Sequence, residues 1–175
     1  LVQVILLFLS LLAILLRPTN ERLTAILRST LIGIIIVPLA LLLEPVLQIS
    51  SLAGVIVYLM IAVVLTGWLS TRQNLAAPRL SGIISLLTSL LILVDLFRGS
   101  PLMMESILGF SPVGGARYYG IGNEYMGILL GASATGVSVF LDWIGRSLYA
   151  VWVAILLFGT WSYATVAPWL GSNLG

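Results

Sequence analysis

Residues 50–70 read SSLAGVIVYLMIAVVLTGWLS, without one charged side chain. Hydrocarbon offers nothing to a free backbone amide. A helix of about 20 apolar residues satisfies its own backbone across that layer. The pattern recurs along the chain, and spans are expected at 1–16 (cut short), 26–43, 50–70, 80–97, 122–141 and 147–166. Runs of this length without period-two alternation are helices, not barrel strands. Charged residues make up only 8% of the chain, against about 25% in a soluble domain. The expected fold is all-α: one polytopic transmembrane helix bundle over residues 1–175, with about six spans. Pro38 lies inside the second span and should kink it or mark a packed position. The chain opens LVQVILL without Met and ends SNLG, which reads as a fragment of a longer protein.

The basic residues, all Arg, alternate from loop to loop. Arg17, Arg22 and Arg28 lie in residues 17–28, Arg72 and Arg79 in 71–79, and Arg146 in 142–146. The intervening connections hold only Arg98 and Arg117. Arg-rich loops stay on the cytoplasmic side, so loop 98–121 and the tail 167–175 are expected to be extracytoplasmic. Trp68, Trp143, Tyr149 and Trp152 fall near the expected inner boundary, and Trp161, Tyr163 and Trp169 near the outer one. Amphipathic rings prefer the headgroup level. Asp142 and Arg146 form an i,i+4 pair, and Asp95 and Arg98 an i,i+3 pair, as on exposed helix ends. Glu44, before Pro45, is expected to end a helix in water.

There is no Cys and no His. That excludes disulfides, thiol nucleophiles, Cys/His zinc sites and imidazole acid–base chemistry. No cofactor and no metal is expected. A net charge of +2, scattered along the chain, gives no basis for nucleic-acid binding. No internal repeat or matching pair of broken helices marks an inverted-repeat transporter.

Against this background one segment departs. Residues 116–125 read ARYYGIGNEY and bring together an Arg, three Tyr, an Asn and a Glu. The third Gly of a dinucleotide fingerprint would fall two places late, and no G-K-[ST] follows, so neither nucleotide motif applies. Asn123 is a candidate N-cap, and Glu124 then sits in the first turn of the fifth span, where the helix dipole stabilises a carboxylate. Arg117 can pair with Glu124, and Tyr118, Tyr119 and Tyr125 can serve as an aromatic belt. The same residues suit a binding site. Arg117 grips phosphate or carboxylate in two-pronged fashion, Tyr118, Tyr119, Asn123 and Tyr125 orient a polar ligand, and Glu124 is the candidate catalytic carboxylate. Ionisable groups at membrane depth favour such a role. A second carboxylate would come from Asp95, Glu105 or regions outside this chain. Asn173 in the tail could close over the same region. Gly127, Gly131 and Thr135 recur every four residues, a spacing that lets helices approach closely. They place the fifth span at the centre of the bundle, with Asn123 and Glu124 aimed inward.

ARYYGIGNEYMG, followed by this small-residue helix and later by LGSNLG, resembles a group of uncharacterised bacterial multi-spanning membrane proteins with a similar segment. The resemblance covers about residues 110–175. It implies a multi-pass protein of the bacterial cytoplasmic membrane and assigns no chemistry. Three functions stay open. One is an outward polar site at headgroup depth acting on a lipid-linked or anionic envelope substrate. A second is a transporter or channel for a small solute. The third is a non-catalytic assembly subunit with a membrane-protein partner.

Overall fold

The computed structural model describes residues 29–72, 77–109, 121–145 and 148–166. Among them the regular structure is entirely helical. In chain order it comprises α1 (Val37–Leu43), a 3-10 turn (Glu44–Leu47), α2 (Leu52–Arg72), α3 (Ala77–Phe97), α4 (Pro101–Glu105), α5 (Asn123–Ile144) and α6 (Leu148–Val166). Four segments are long and apolar enough to cross a membrane: Ser29–Leu47, Leu52–Thr71, Pro78–Phe97 and Asn123–Ile144. The apolar stretch of α6, Val151–Ala164, is shorter. The expected span 1–16 lies outside the described residues. The protein is an all-α, membrane-embedded bundle.

Pro38 interrupts the first of these segments. It has no N–H to give to the carbonyl of Ile34, and its ring crowds that carbonyl. The backbone tightens just before it: the amides of Ile35 and Ile36 bond the carbonyls of Ile32 and Gly33, and Ala40 bonds Ile36 at 2.8 Å to resume the α-helix. The next helix starts at Ser51, whose hydroxyl accepts from the amide of Gly54 at 3.1 Å. That bond satisfies one of the free donors of the first turn.

Helices pair where glycine removes bulk. A Cβ on Gly82 would lie 2.5 Å from Val139 Cγ1, and one on Gly136 would lie 2.7 Å from Leu86 Cγ. Residues 82 and 86 thus face 139 and 136, which makes α3 and α5 antiparallel neighbours in close contact. The expected packing stripe is not the one used. Gly127, Gly131 and Thr135 are all exposed, and a Cβ on either glycine would meet nothing within 4 Å. The buried face of α5 is Tyr125, Leu129, Ser133, Gly136 and Val137. At about 100° per residue, a two-residue offset turns the Gly127 stripe to the opposite side of the helix.

Two further expectations change. Trp161, assigned to the outer belt, is 2% exposed and belongs to the core with Leu42, Leu96, Met103, Ile121 and Tyr125. It packs edge-on against Phe158, with ring centroids 5.3 Å apart. Trp68, Trp143, Tyr149, Trp152 and Tyr163 are exposed, as belt residues are. Glu44, expected in water, is 6% exposed. The 3-10 turn that starts at Glu44 lies against α1 and α4.

Candidate functional site

The turn after Phe97 builds the polar end of the bundle. Arg98 closes α3 by bonding the carbonyls of Val94 and Asp95. Gly99 then bonds Leu96 at 3.1 Å, and Ser100 bonds the Asp95 carbonyl at 2.8 Å. This double closure needs a left-handed residue after the helix, a role Gly fills without steric cost. Gly99 has φ 90°, and Ser100 follows at φ 65°. Pro101 occupies the start of α4, where its missing N–H is harmless.

Ser100 stands at the N-cap of α4, but its side chain makes no cap bond. Asp95 does that work from the preceding helix. Its Oδ1 accepts from the amide of Leu102 at 3.0 Å and its Oδ2 from that of Met103 at 2.9 Å. The carboxylate is 2% exposed. Its partners are therefore amides, and it acts as an anchor for α4 instead of forming an exposed pair with Arg98. Both oxygens are engaged, so Asp95 does not stand ready as a second reacting carboxylate. Glu105, the other candidate for that role, is exposed.

Tyr125 meets the far end of α4. Its hydroxyl lies 2.5 Å from Ser106 Oγ, with either group able to donate. The residue is fully buried. Asp95 and Glu44 both lie within electrostatic reach of its phenol, and Glu44 also reaches Tyr58 on α2. Glu44, Asp95, Ser100, Ser106, Tyr125 and Trp161 thus form a buried polar layer where α1, α3, α4, α5 and α6 end or begin. Three of its atoms have no hydrogen-bond partner: Glu44 Oε2, Ser100 Oγ and Trp161 Nε1.

The predicted site residues divide. Tyr125 is inside this layer. Asn123 and Glu124 occupy the first turn of α5 and both are exposed, whereas Ile121, Gly122 and Tyr125 are buried, so among the described residues of the segment the inward-facing polar one is Tyr125. The N-cap is Gly122, one place before Asn123, with ψ 159° and no side-chain cap bond. Its carbonyl accepts from Met126 at 2.9 Å. Arg117, Tyr118, Tyr119 and Asn173 lie outside the described residues. Glu44, Ser100, Ser106 and Trp161 were not read from the sequence as site residues. The one signal was Ser100-Pro101, a pairing of cap and first-turn residue that marks a helix start.

The described layer offers carboxylates, hydroxyls and an indole N–H, so it can hold a positive or hydrogen-bonding group. Among the described residues no three His, Cys, Asp or Glu are grouped to hold a metal ion. No protein-family profile, no curated protein and no solved structure matches this chain.

Proposed function

We propose that the chain is an integral protein of a bacterial cytoplasmic membrane. Its extracytoplasmic end holds a polar site at headgroup depth for a lipid-linked or anionic envelope substrate. One observation carries this reading: ARYYGIGNEY runs directly into a buried polar layer, because its last residue, Tyr125, is bonded to Ser106 inside the bundle. A segment anchored in that way can hold its other polar groups at the membrane surface. Arg117 grips the anionic group through its planar fork of donors. Glu124, exposed at the head of α5, acts as base or electrostatic partner. Tyr118, Tyr119 and Asn123 orient the ligand, and Asn173 closes from the tail.

The test starts from lipid that stays with the purified chain, identified by mass spectrometry. A phosphate-bearing lipid should be enriched over the bulk membrane, and Arg117→Ala should lose it. Glu124→Gln should fold and keep the lipid but fail to complement a strain lacking the native copy. Equal lipid in the Arg117→Ala chain, together with full complementation by Glu124→Gln, would sink the reading.

The assembly-subunit reading has its own support in the exposed Gly127–Gly131–Thr135 stripe, a lipid-side face without bulk. Loss of a co-purifying membrane protein on Gly131→Leu would favour it. A solute pathway has less support. The buried hydroxyls of Thr88, Ser89 and Ser133 donate to carbonyls of their own helices at 2.7, 2.9 and 2.5 Å, which leaves them little capacity to line a hydrated path.

A further inference from the structure

Three contacts run in series from the end of α3 to the start of α5. The Asp95 carboxylate accepts from the amides of Leu102 and Met103 at 3.0 and 2.9 Å. Leu102 in turn holds Ser106, whose amide donates to the Leu102 carbonyl at 3.0 Å. The Ser106 hydroxyl then meets the Tyr125 hydroxyl at 2.5 Å. Asp95, Ser106 and Tyr125 are all buried, and a low local dielectric strengthens such bonds.

The element in the middle of this series cannot place itself. α4 has 5 residues, and isolated helices shorter than about 12–15 residues are marginal. Its position is set by what grips its ends. At the first end that is Asp95, because Ser100 makes no side-chain cap bond. At the second end the chain is fitted closely. The Gly109 amide bonds the Ser106 carbonyl at 2.7 Å, and a Cβ on Gly109 would lie 2.6 Å from the Met104 carbonyl oxygen and 2.7 Å from that of Ser106. A shift of α4 therefore carries Ser106 with it. On the far side, Tyr125 follows Asn123 and Glu124 in the first turn of α5. At about 100° per residue, the directions of Asn123 and Glu124 are fixed once that of Tyr125 is.

We propose that Asp95 is a positioning residue, which acts through α4 and the Ser106–Tyr125 bond to set the first turn of α5 and so the place where Asn123 and Glu124 meet a ligand. Asp95 itself touches no ligand. The assignment rests on the reading of ARYYGIGNEY as the binding segment. Its test reads the geometry of that segment without ligand, so a failure here is distinct from the absence of an enriched lipid.

The chain has no Cys, so a nitroxide can be placed at one introduced cysteine. Gly127→Cys reports on the start of α5, since the position is exposed and a Cβ there meets nothing within 4 Å. Ser138→Cys, also exposed, reports on the same helix farther from Tyr125. Electron paramagnetic resonance spectra are recorded on the purified chain in phosphatidylcholine nanodiscs. Asp95→Asn and Ser106→Ala should each sharpen the lines at 127 and leave those at 138 unchanged. The two together should sharpen 127 no more than the larger single effect, because both break one series of contacts. Glu105→Gln, which removes an exposed carboxylate from the same short helix, should change neither spectrum. Unchanged lines at 127 in Asp95→Asn or in Ser106→Ala overturn the proposal. So do equal changes at 127 and 138, which mark a general loosening, additive effects of the two substitutions, or a change at 127 in Glu105→Gln. Should Asp95→Asn fail to fold, Asp95→Glu, whose longer side chain moves the carboxylate out of register with the two amides, takes its place with the same outcomes.

Discussion

At Asp95 a single carboxylate joins two helices. Its backbone carbonyl closes the end of α3 and its side chain caps the start of α4. Ser100 cannot do the second job, because at φ 65° and ψ 33° its side chain makes no cap bond. Hydrogen bonds to charged groups contribute about 1.5–3 kcal/mol each, and stranding a buried donor costs about as much again. Asp95→Ala removes both bonds and leaves the amides of Leu102 and Met103 unpaired. It should destabilise the fold by at least about 3 kcal/mol. Asp95→Asn keeps a carbonyl acceptor and should lose roughly half as much. Tyr125→Phe strands only the Ser106 hydroxyl and should cost about 1–3 kcal/mol. Reversible unfolding in mixed micelles would rank the three. Equal stability of Asp95→Ala and the native chain would refute the anchoring role. No such ranking was legible in the sequence. Asp95 was legible as a charge near a helix end, but its reach to residues seven and eight places ahead depends on the path of the Gly99–Ser100 turn.

The helices themselves were legible because the requirement that sets them is severe. A chain with so few charges must close its hydrogen bonds internally, so long apolar runs become helices whatever their neighbours. Which face of each helix packs is a different question, since almost every side chain is apolar and periodicity fades. On α5 the small residues occur on two sides, and spacing alone could not choose between them. Gly136 sits against α3, where a Cβ would come within 2.7 Å of Leu86 Cγ and 2.9 Å of its backbone nitrogen. Gly131 faces outward with nothing within 4 Å. The same substitution should therefore act in opposite senses. Gly136→Ala forces the helices apart and should cost about 1–3 kcal/mol. Gly131→Ala relieves the flexibility of a helical glycine and should be neutral or stabilising by up to about 1 kcal/mol. Unfolding of the two variants side by side in one detergent tests this. If Gly131→Ala is as harmful as Gly136→Ala, the outer stripe has a helical partner of its own.

For the whole molecule, the placement of the polar layer follows from the alternation of helix direction. Glu44 closes the first span, Asp95 ends α3, Tyr125 opens α5 and Trp161 lies in the last turns of α6. Antiparallel pairing of α3 with α5 brings such positions to one end. The opposite end carries the α2–α3 connection, with Arg72 and Arg79, and the α5–α6 connection, with Arg146. Among the described residues the charge is thus uneven, with Glu44, Asp95, Glu105, Glu124 and Arg98 at one end and Arg72, Arg79 and Asp142 at the other. The arginine-rich end is expected to stay in the cytoplasm, because basic residues near a span resist translocation more strongly than acidic residues favour it. The chain contains no Cys, so single introduced cysteines report without background. In intact cells a membrane-impermeant maleimide should label Ser111→Cys and leave Ala77→Cys unlabelled until the membrane is opened. That result would put the Glu44–Tyr125 layer at the extracytoplasmic surface, where a lipid-linked ligand can reach it. Labelling of Ala77→Cys alone would invert the bundle. The polar layer would then face the cytoplasm, and the envelope substrate would be ruled out as its ligand.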